Sequence, residues 1–268
     1  MIPFFKYQGT GNDFVMIDQR DKKYIKKKDT DLIAKICDRR FGIGADGLIL
    51  LQNRKGYDFQ MIYFNADGRE SSMCGNGGRC IAAFANQLGI VKSKYQFLAI
   101  DGPHEANIKK DNWVELKMSN VEDVEIGDDY FLMDTGSPHY IVFVEDIDDI
   151  NVYENGQAIR YSERFRKKGV NVNFVEPTKE NIIVATYERG VEAETLSCGT
   201  GVTAAAIAHY LKKPNRRKKQ NIPIQSKGGK LAVRFEPDGK NGASNIWLCG
   251  KAELVFEGSY QALARSKV

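Results

Sequence analysis

Residues 73 to 80 read MCGNGGRC and residues 197 to 201 read SCGTG, so a Cys-Gly-x-Gly pattern occurs twice, 124 positions apart (198 − 74). Working outward, Tyr63 and Glu70 precede the first copy as Tyr187 and Glu194 precede the second, with the same offset. Farther out, the run Gly11 to Val15 is answered by Gly136 to Tyr140, and Gly42 to Asp46 by Gly169 to Asn173. Four similarities in one order indicate an internal duplication.

Both copies predict the same local structure. In the first, Tyr57 to Phe64 is rich in aromatic and aliphatic residues and reads as a strand. Asn65-Ala66-Asp67-Gly68 ends it with turn chemistry. A helix then opens at Cys74-Gly75-Asn76-Gly77-Gly78; Ile81, Phe84, Ala85 and Leu88 recur at helical spacing, and Gly89 closes it. In the second copy Ile182 to Tyr187 is the strand, Glu188 to Ser197 the loop and Gly201 to Leu211 the helix, stopped before Pro214. Further short strands are expected at 14–17, 48–51, 113–118, 140–144, 231–235 and 246–249, with another helix at 31–38. Short strands, frequent glycine turns and few long helices predict an α+β fold of two pseudo-symmetric halves. The expected division is residues 1–119, joined by the tail 253–268, against 120–252.

The whole chain is compatible with this reading. Its 268 residues allow one large or two ordinary domains, and 42% hydrophobic with 28% charged residues is a globular mixture. The formal charge of +4 is too small to demand a nucleic-acid or membrane partner. No run approaches the roughly 18 apolar residues of a membrane span, and the first residues lack the pattern of a secretory leader, so a cytoplasmic address is expected. There the five cysteines should be reduced; an odd number, widely spaced, suits neither a disulfide framework nor zinc knuckles.

A thiol at a helix N-terminus feels unpaired backbone N–H groups and the positive end of the helix dipole, both of which favour the thiolate. Cys74 and Cys198 have that setting; Cys37, Cys80 and Cys249 read as small buried hydrophobes. The adjacent glycines let backbone N–H groups approach an anion such as a carboxylate. Two such loops, related by duplication, are expected to converge on one ligand at the seam between the halves. Inverting a stereocentre by proton transfer needs a base on one face of the carbon and an acid on the other, exchanged in the reverse direction. A thiolate and a thiol can fill both roles near neutral pH.

The segments GTGNDF at 9–14, GIGADG at 42–47, NADG at 65–68, MCGNGGRC at 73–80, GSPH at 136–139, GVNVNF at 169–174, YERG at 187–190 and SCGTG at 197–201 together resemble the diaminopimelate epimerase family, in that family's order. The resemblance implies two halves, each a mainly antiparallel curved sheet around a central helix, with the active site between them. It also implies conversion of LL-2,6-diaminopimelate to the meso form for lysine and peptidoglycan supply, a homodimer, and no pyridoxal phosphate, metal or nucleotide. By the same resemblance Cys74 and Cys198 are the paired bases, His139 accompanies the first cysteine and Glu188 the second. Gly75, Asn76, Gly199 and Thr200 hold the reacting carboxylate, and Asn12, Asn65, Asn171, Glu188 and Arg189 read the distal amino-acid group, where Arg can bind a carboxylate bidentately. Two positions depart from the family pattern: Gly47, where some members carry Gln, and Ser137, where the usual residue is Asn.

Proline or hydroxyproline racemisation is the neighbouring alternative; that branch usually carries His where this chain has Asn76. A thiol-redox protein would need Cys74 and Cys198 to cycle through a disulfide. An RNA-binding module would use the lysine runs at 22–28 and 212–219, which read as solvated faces. Three scattered histidines offer no metal site. His104 reads as a turn contact, His209 as a surface or core residue, and Glu70 and Glu194 as residues that orient the loops.

Overall fold

The computed structural model describes residues 1–239 and 241–261, so residues 262–268 of the expected tail lie outside it. The chain divides into two compact units: Met1–Val114 with the segment from Ala252 onward, and Glu115–Lys251.

The first unit contains β1 (Ile2–Gly9), β2 (Asn12–Asp18), α1 (Thr30–Cys37), β3 (Gly47–Gln52), β4 (Phe59–Asn65), α2 (Gly75–Gln87), β5 (Lys94–Ala99) and β6 (Gly102–Ile108). The chain passes to the second unit within β7 (Trp113–Lys117). That unit contains β8 (Glu125–Ile126), β9 (Tyr130–Asp134), β10 (Pro138–Phe143), α3 (Val152–Arg160), β11 (Asn171–Pro177), β12 (Ile182–Glu188), β13 (Ala193–Thr195), α4 (Gly199–Lys212), β14 (Gln220–Ser226), β15 (Gly229–Asp238) and β16 (Gly242–Lys251). The chain returns to the first unit in β17 (Glu253–Tyr260), antiparallel to β1.

The duplication is visible in the pairing. In the first unit β1–β2 is antiparallel, β2–β3 parallel, β3–β4 antiparallel, β4–β5 parallel and β5–β6 antiparallel. The second repeats the sequence of directions in β9–β10, β10–β11, β11–β12, β12–β14 and β14–β15. Register repeats as well: Phe14 pairs with Gly47, and His139 with Asn171, 125 and 124 positions on. The fold is α+β with duplicated halves.

Each sheet wraps a central helix. α2 packs against β1, β2, β3, β4, β6 and β17, and α4 against strands β9 to β12 and β14 to β16. Such enclosure favours apolar or small residues on every side of the helix, and admits polar ones such as Asn76 and Arg79 only where they are hydrogen-bonded. In α4 Val202, Ala204, Ala205, Ala206, Ile207 and Ala208 are all buried; α2 buries every residue from Gly75 to Ala82. The opposite face of each sheet carries a second helix. α1 places Ile33, Ile36 and Cys37 on Val15, Ile17, Leu48 and Leu50, which is why β2 and β3 are apolar on both faces rather than alternating. α3 covers Val172, Phe174 and Tyr187.

The expected helices at 31–38, 79–88 and 201–211 are present, the last two starting earlier, directly after each cysteine. Gly89 (φ 85°) closes α2 as expected, with Ile90 N–H bonding Ala85 C=O at 3.0 Å. Helix α3 was not expected. Its inward face offers only Val152, Gly156 and half-buried Ile159, and Gly156 is small because a Cβ there would stand 2.4 Å from Tyr187 Cβ.

Candidate active site

Cys74 and Cys198 are the N-cap residues of α2 and α4, each in extended backbone conformation with a C=O that accepts the first helical bond, from Gly78 N–H at 2.7 Å and Val202 N–H at 2.9 Å. Neither helix has an acidic residue in its first turn, so nothing there neutralises the positive end of the dipole. Gly75 and Asn76 follow Cys74, both buried; Gly199 and Thr200 follow Cys198. Glycine at 201 is dictated by its surroundings, since a Cβ would lie 2.4 Å from Asn173 Oδ1.

In the first unit Cys74 Sγ lies 3.5 Å from Asn12 Oδ1, which also accepts from Asn76 Nδ2 at 3.3 Å. Asn12 Nδ2 donates to Asp46 at 2.6 Å. Asp46 and Asp13 share the Arg39 guanidinium, and Lys6 reaches Asp13 at 2.8 Å. Burial raises the Asp13 carboxyl, but hydrogen bonds from Arg39 and Lys6 outweigh it and hold the group well below the ordinary carboxylate range. Fully buried Arg79 donates to Asn76 Oδ1 at 3.0 Å and to Thr10 Oγ1 at 3.1 Å. Asn65, at the exposed end of β4, holds its turn through backbone bonds with Arg69 and Gly68.

In the second unit Cys198 Sγ lies 3.4 Å from Thr200 Oγ1. Thr200 Oγ1 is 2.9 Å from His139 Nε2 and 3.3 Å from Ser137 Oγ. His139 is fully buried. Burial, with Arg189 adding to it, pushes its pKa down to about 3, so the ring is neutral at physiological pH. Asn173 Nδ2 stands 3.1 Å from His139 Nδ1, and Asn171 bonds Ser137 Oγ, Pro138 C=O and Arg189 N–H. Arg189 itself donates to Lys168 C=O, and Glu188 accepts from Thr195 Oγ1 at 3.0 Å.

A family model described as "Diaminopimelate epimerase" matches residues 4–124 and 131–255. A diaminopimelate epimerase of Flavobacterium psychrophilum is 52% identical over 94% of this chain and 98% of its own. One from Aquifex aeolicus is 42% identical over 95% and 96%. The chain belongs to the diaminopimelate epimerase family. Among solved structures, a Bacillus anthracis PhzF-family phenazine biosynthesis protein superposes with TM-score 0.78 over 97% of this chain and 99% of its own, at 12% identity. A probable proline racemase from Agrobacterium radiobacter gives 0.69 over 100% and 94%, at 16%. These two share the fold.

Against that membership, the described residues sort clearly. Asn12, Cys74 and Asn76 form one bonded group, and Cys198, Thr200, His139, Asn171 and Arg189 another, so these bonds tie His139, expected with the first cysteine, to the second. Asn65 and Glu188 do not join these groups through the bonds described above. Asp46, Asn173 and Thr186 were not singled out from sequence. A signal existed for Asn173: in GVNVNF it alternates with Asn171, which puts two amides on one face of an otherwise apolar strand. The family's Asn position, here Ser137, is filled by a hydroxyl bonded to Asn171, His139 and Thr200. At Gly47 the room for a Cβ is taken by the Tyr63 ring, 2.5 Å away.

His104 bonds Asp101 and stacks on Phe97. Glu70 pairs with Lys27, and Glu194 with Lys227. Cys37, Cys80 and Cys249 are buried, and burial pushes the first two thiols up to about 12. Among the described residues no helix is long and apolar enough to cross a membrane, and no group of three or more His, Cys, Asp or Glu could hold a metal ion.

Proposed function

We propose that the chain converts LL-2,6-diaminopimelate to the meso isomer, with Cys74 and Cys198 as a two-base pair acting on opposite faces of one α-carbon. The observation that carries this reading is the matched setting of the two sulfurs, each the N-cap of a buried, glycine-opened helix at the same place in duplicated units. A thiolate removes the α-proton, the electron pair spreads into the substrate carboxylate, and the opposed thiol delivers a proton to the other face. The sulfurs end with exchanged protonation. Backbone N–H groups of Gly75, Asn76, Gly199 and Thr200 are assigned to the reacting carboxylate, where the helix ends stabilise the charge that grows on it. Asn12, Asn65, Asn171, Glu188 and Arg189 are assigned to the distal amino-acid group, and His139 and Glu188 to conditioning the thiols. No cofactor enters the scheme.

The reaction is assigned to the cytoplasm and to lysine and peptidoglycan precursor supply. A homodimer is expected, and exposed Leu254, Val255 and Phe256 on β17 supply apolar surface for one; light scattering checks it. The deciding experiment incubates the reduced protein in heavy water with LL-diaminopimelate or L-proline. Deuterium should enter the α-carbon of diaminopimelate. Exchange with proline alone would overturn the substrate assignment.

A further inference from the structure

We infer that in the substrate-free enzyme Cys198 is the sulfur held as thiolate and Cys74 the one held as thiol, and that the Thr200 hydroxyl, set by His139 and Asn173, makes the difference. The inference deepens the two-cysteine reading and rests on it.

Groups that can only donate or only accept fix the hydrogens around Cys198. Asn173 Nδ2 faces Tyr140 C=O at 3.3 Å, and Thr186 Oγ1 lies 3.0 Å from Asn173 Oδ1, so the amide cannot be turned over. Its NH2 therefore points at His139 Nδ1, which must accept. The buried ring is neutral and carries one hydrogen, which is then on Nε2. Asn171 is fixed in the same way, by Pro138 C=O on its NH2 and Arg189 N–H on its oxygen, and so donates to Ser137 Oγ. Nε2–H lies between Thr200 Oγ1 at 2.9 Å and Ser137 Oγ at 3.0 Å and is shared by the two; the Ser137 hydroxyl, accepting from Asn171 and from this N–H, cannot donate back to Nε2, which leaves Thr200 Oγ1 at 3.3 Å for its own hydrogen. Thr200 Oγ1 thus accepts from both His139 and Ser137. Its own hydrogen points at the remaining partner, Cys198 Sγ, 3.4 Å away. A hydrogen bond donated to sulfur favours the charged form.

At Cys74 the hydrogen bond runs in the opposite sense. Asp46 accepts from Asn12 Nδ2 at 2.6 Å, which fixes Asn12 Oδ1 toward Cys74 and makes it an acceptor. A bond to an amide oxygen requires the thiol to keep its hydrogen. Asp46, with Arg39, Asp13 and Lys6 behind it, and Arg79 face the first network, and Arg189 the second.

The test follows alkylation of the reduced, substrate-free protein by iodoacetamide across pH, read separately at each cysteine by peptide mass, with thiolate absorbance at 240 nm in the Cys74→Ala and Cys198→Ala proteins as a measure that needs no reagent access. Cys198 should ionise at lower pH than Cys74. Thr200→Val should raise the Cys198 midpoint by about one unit, roughly tenfold in neutral-pH reactivity, without moving that of Cys74; Thr200→Ser should restore it, and Asn173→Leu should shift it the same way. Cys74 ionising first, or a Cys198 midpoint that neither Thr200→Val nor Asn173→Leu moves, would overturn the inference. Turnover does not enter these readouts, so loss of the two-base reading shows separately, as retained epimerisation by either Cys→Ala protein.

Discussion

The two units share a scaffold and differ in what they place beneath the central helix. Under α2 lie Phe14 and Ile49, with Gly47 between them on the same sheet face; at the matching places under α4 stand His139, Asn173 and Asn171. Polar groups in the first unit instead collect at the rim, in the Lys6, Asp13, Arg39 and Asp46 network beside Asn12. One layout can therefore carry an apolar or a polar inner face. The polar one is tolerated because each of its three residues is hydrogen-bonded, so little desolvation is left uncompensated. The price in each unit is a glycine: a Cβ would stand 3.0 Å from Ile49 Cδ1 at Gly77 and 2.4 Å from Asn173 Oδ1 at Gly201.

The strongest challenge to the comparison is to remove the sulfurs. If both units serve one reaction, Cys74→Ala and Cys198→Ala should each cost at least about 10²- to 10⁴-fold in kcat, the scale of a general acid or base, while circular dichroism stays native. A single variant with near-normal turnover breaks the equivalence. Next in size, transplanting the polar face should fail: Ile49→Asn buries an amide among Phe14, Met61 and α2 and should cost about 3 kcal/mol in urea unfolding. Unchanged stability would mean that the first unit can supply partners there.

A smaller effect separates the glycines. Gly201→Ala should lose about 1 to 3 kcal/mol and raise the Cys198 midpoint, because its Cβ displaces Asn173. Gly77→Ala meets the flexible ends of Ile49 and Met61, with the Phe14 ring at ordinary contact distance, and should lose less. Equal losses would show that the polar face is no stiffer than the apolar one.

The last effect is in acid. Burial keeps His139 neutral down to about pH 3, whereas the unfolded chain takes up that proton near 6.5, so its contribution to stability falls as pH drops from about 6.5 toward 3. Asp13, whose pKa is depressed in the fold, stabilises fully above the ordinary carboxylate range and loses that contribution only as pH falls below it. Melting temperature against pH should therefore decline from 6.5 in a His139-dependent way, and His139→Gln should flatten that limb. Asp13→Asn should lie below wild type at pH 7 and converge with it in acid. A limb unaltered by His139→Gln would place the sensitivity elsewhere.

Much of the fold was legible because duplication repeats its own signal. Two Cys-Gly-x-Gly helices, each following a strand and a polar loop, gave the architecture and the two cysteines together. Helix α3 escaped because Gly156 and scattered polar residues dilute its periodicity; only the Tyr187 side chain packed against it explains the sequence. The roles of Asp46, Asn173 and Ser137 escaped for a related reason. A strand's alternation shows which residues share a face, but a hydrogen bond depends on residues 30 or more positions apart meeting within 3 Å or so.

The amino-acid sequence by itself determined the repeat, the helix-capping cysteines and the family, since these depend on local spacing and on ordered motifs. Tertiary structure decided which donors and acceptors meet each sulfur. That is a matter of direction as well as position: Asn12 turns an acceptor toward Cys74 and Thr200 a donor toward Cys198 only because Asp46, His139, Ser137 and Asn173, brought in from other strands and loops, have already claimed their other hydrogen-bonding positions.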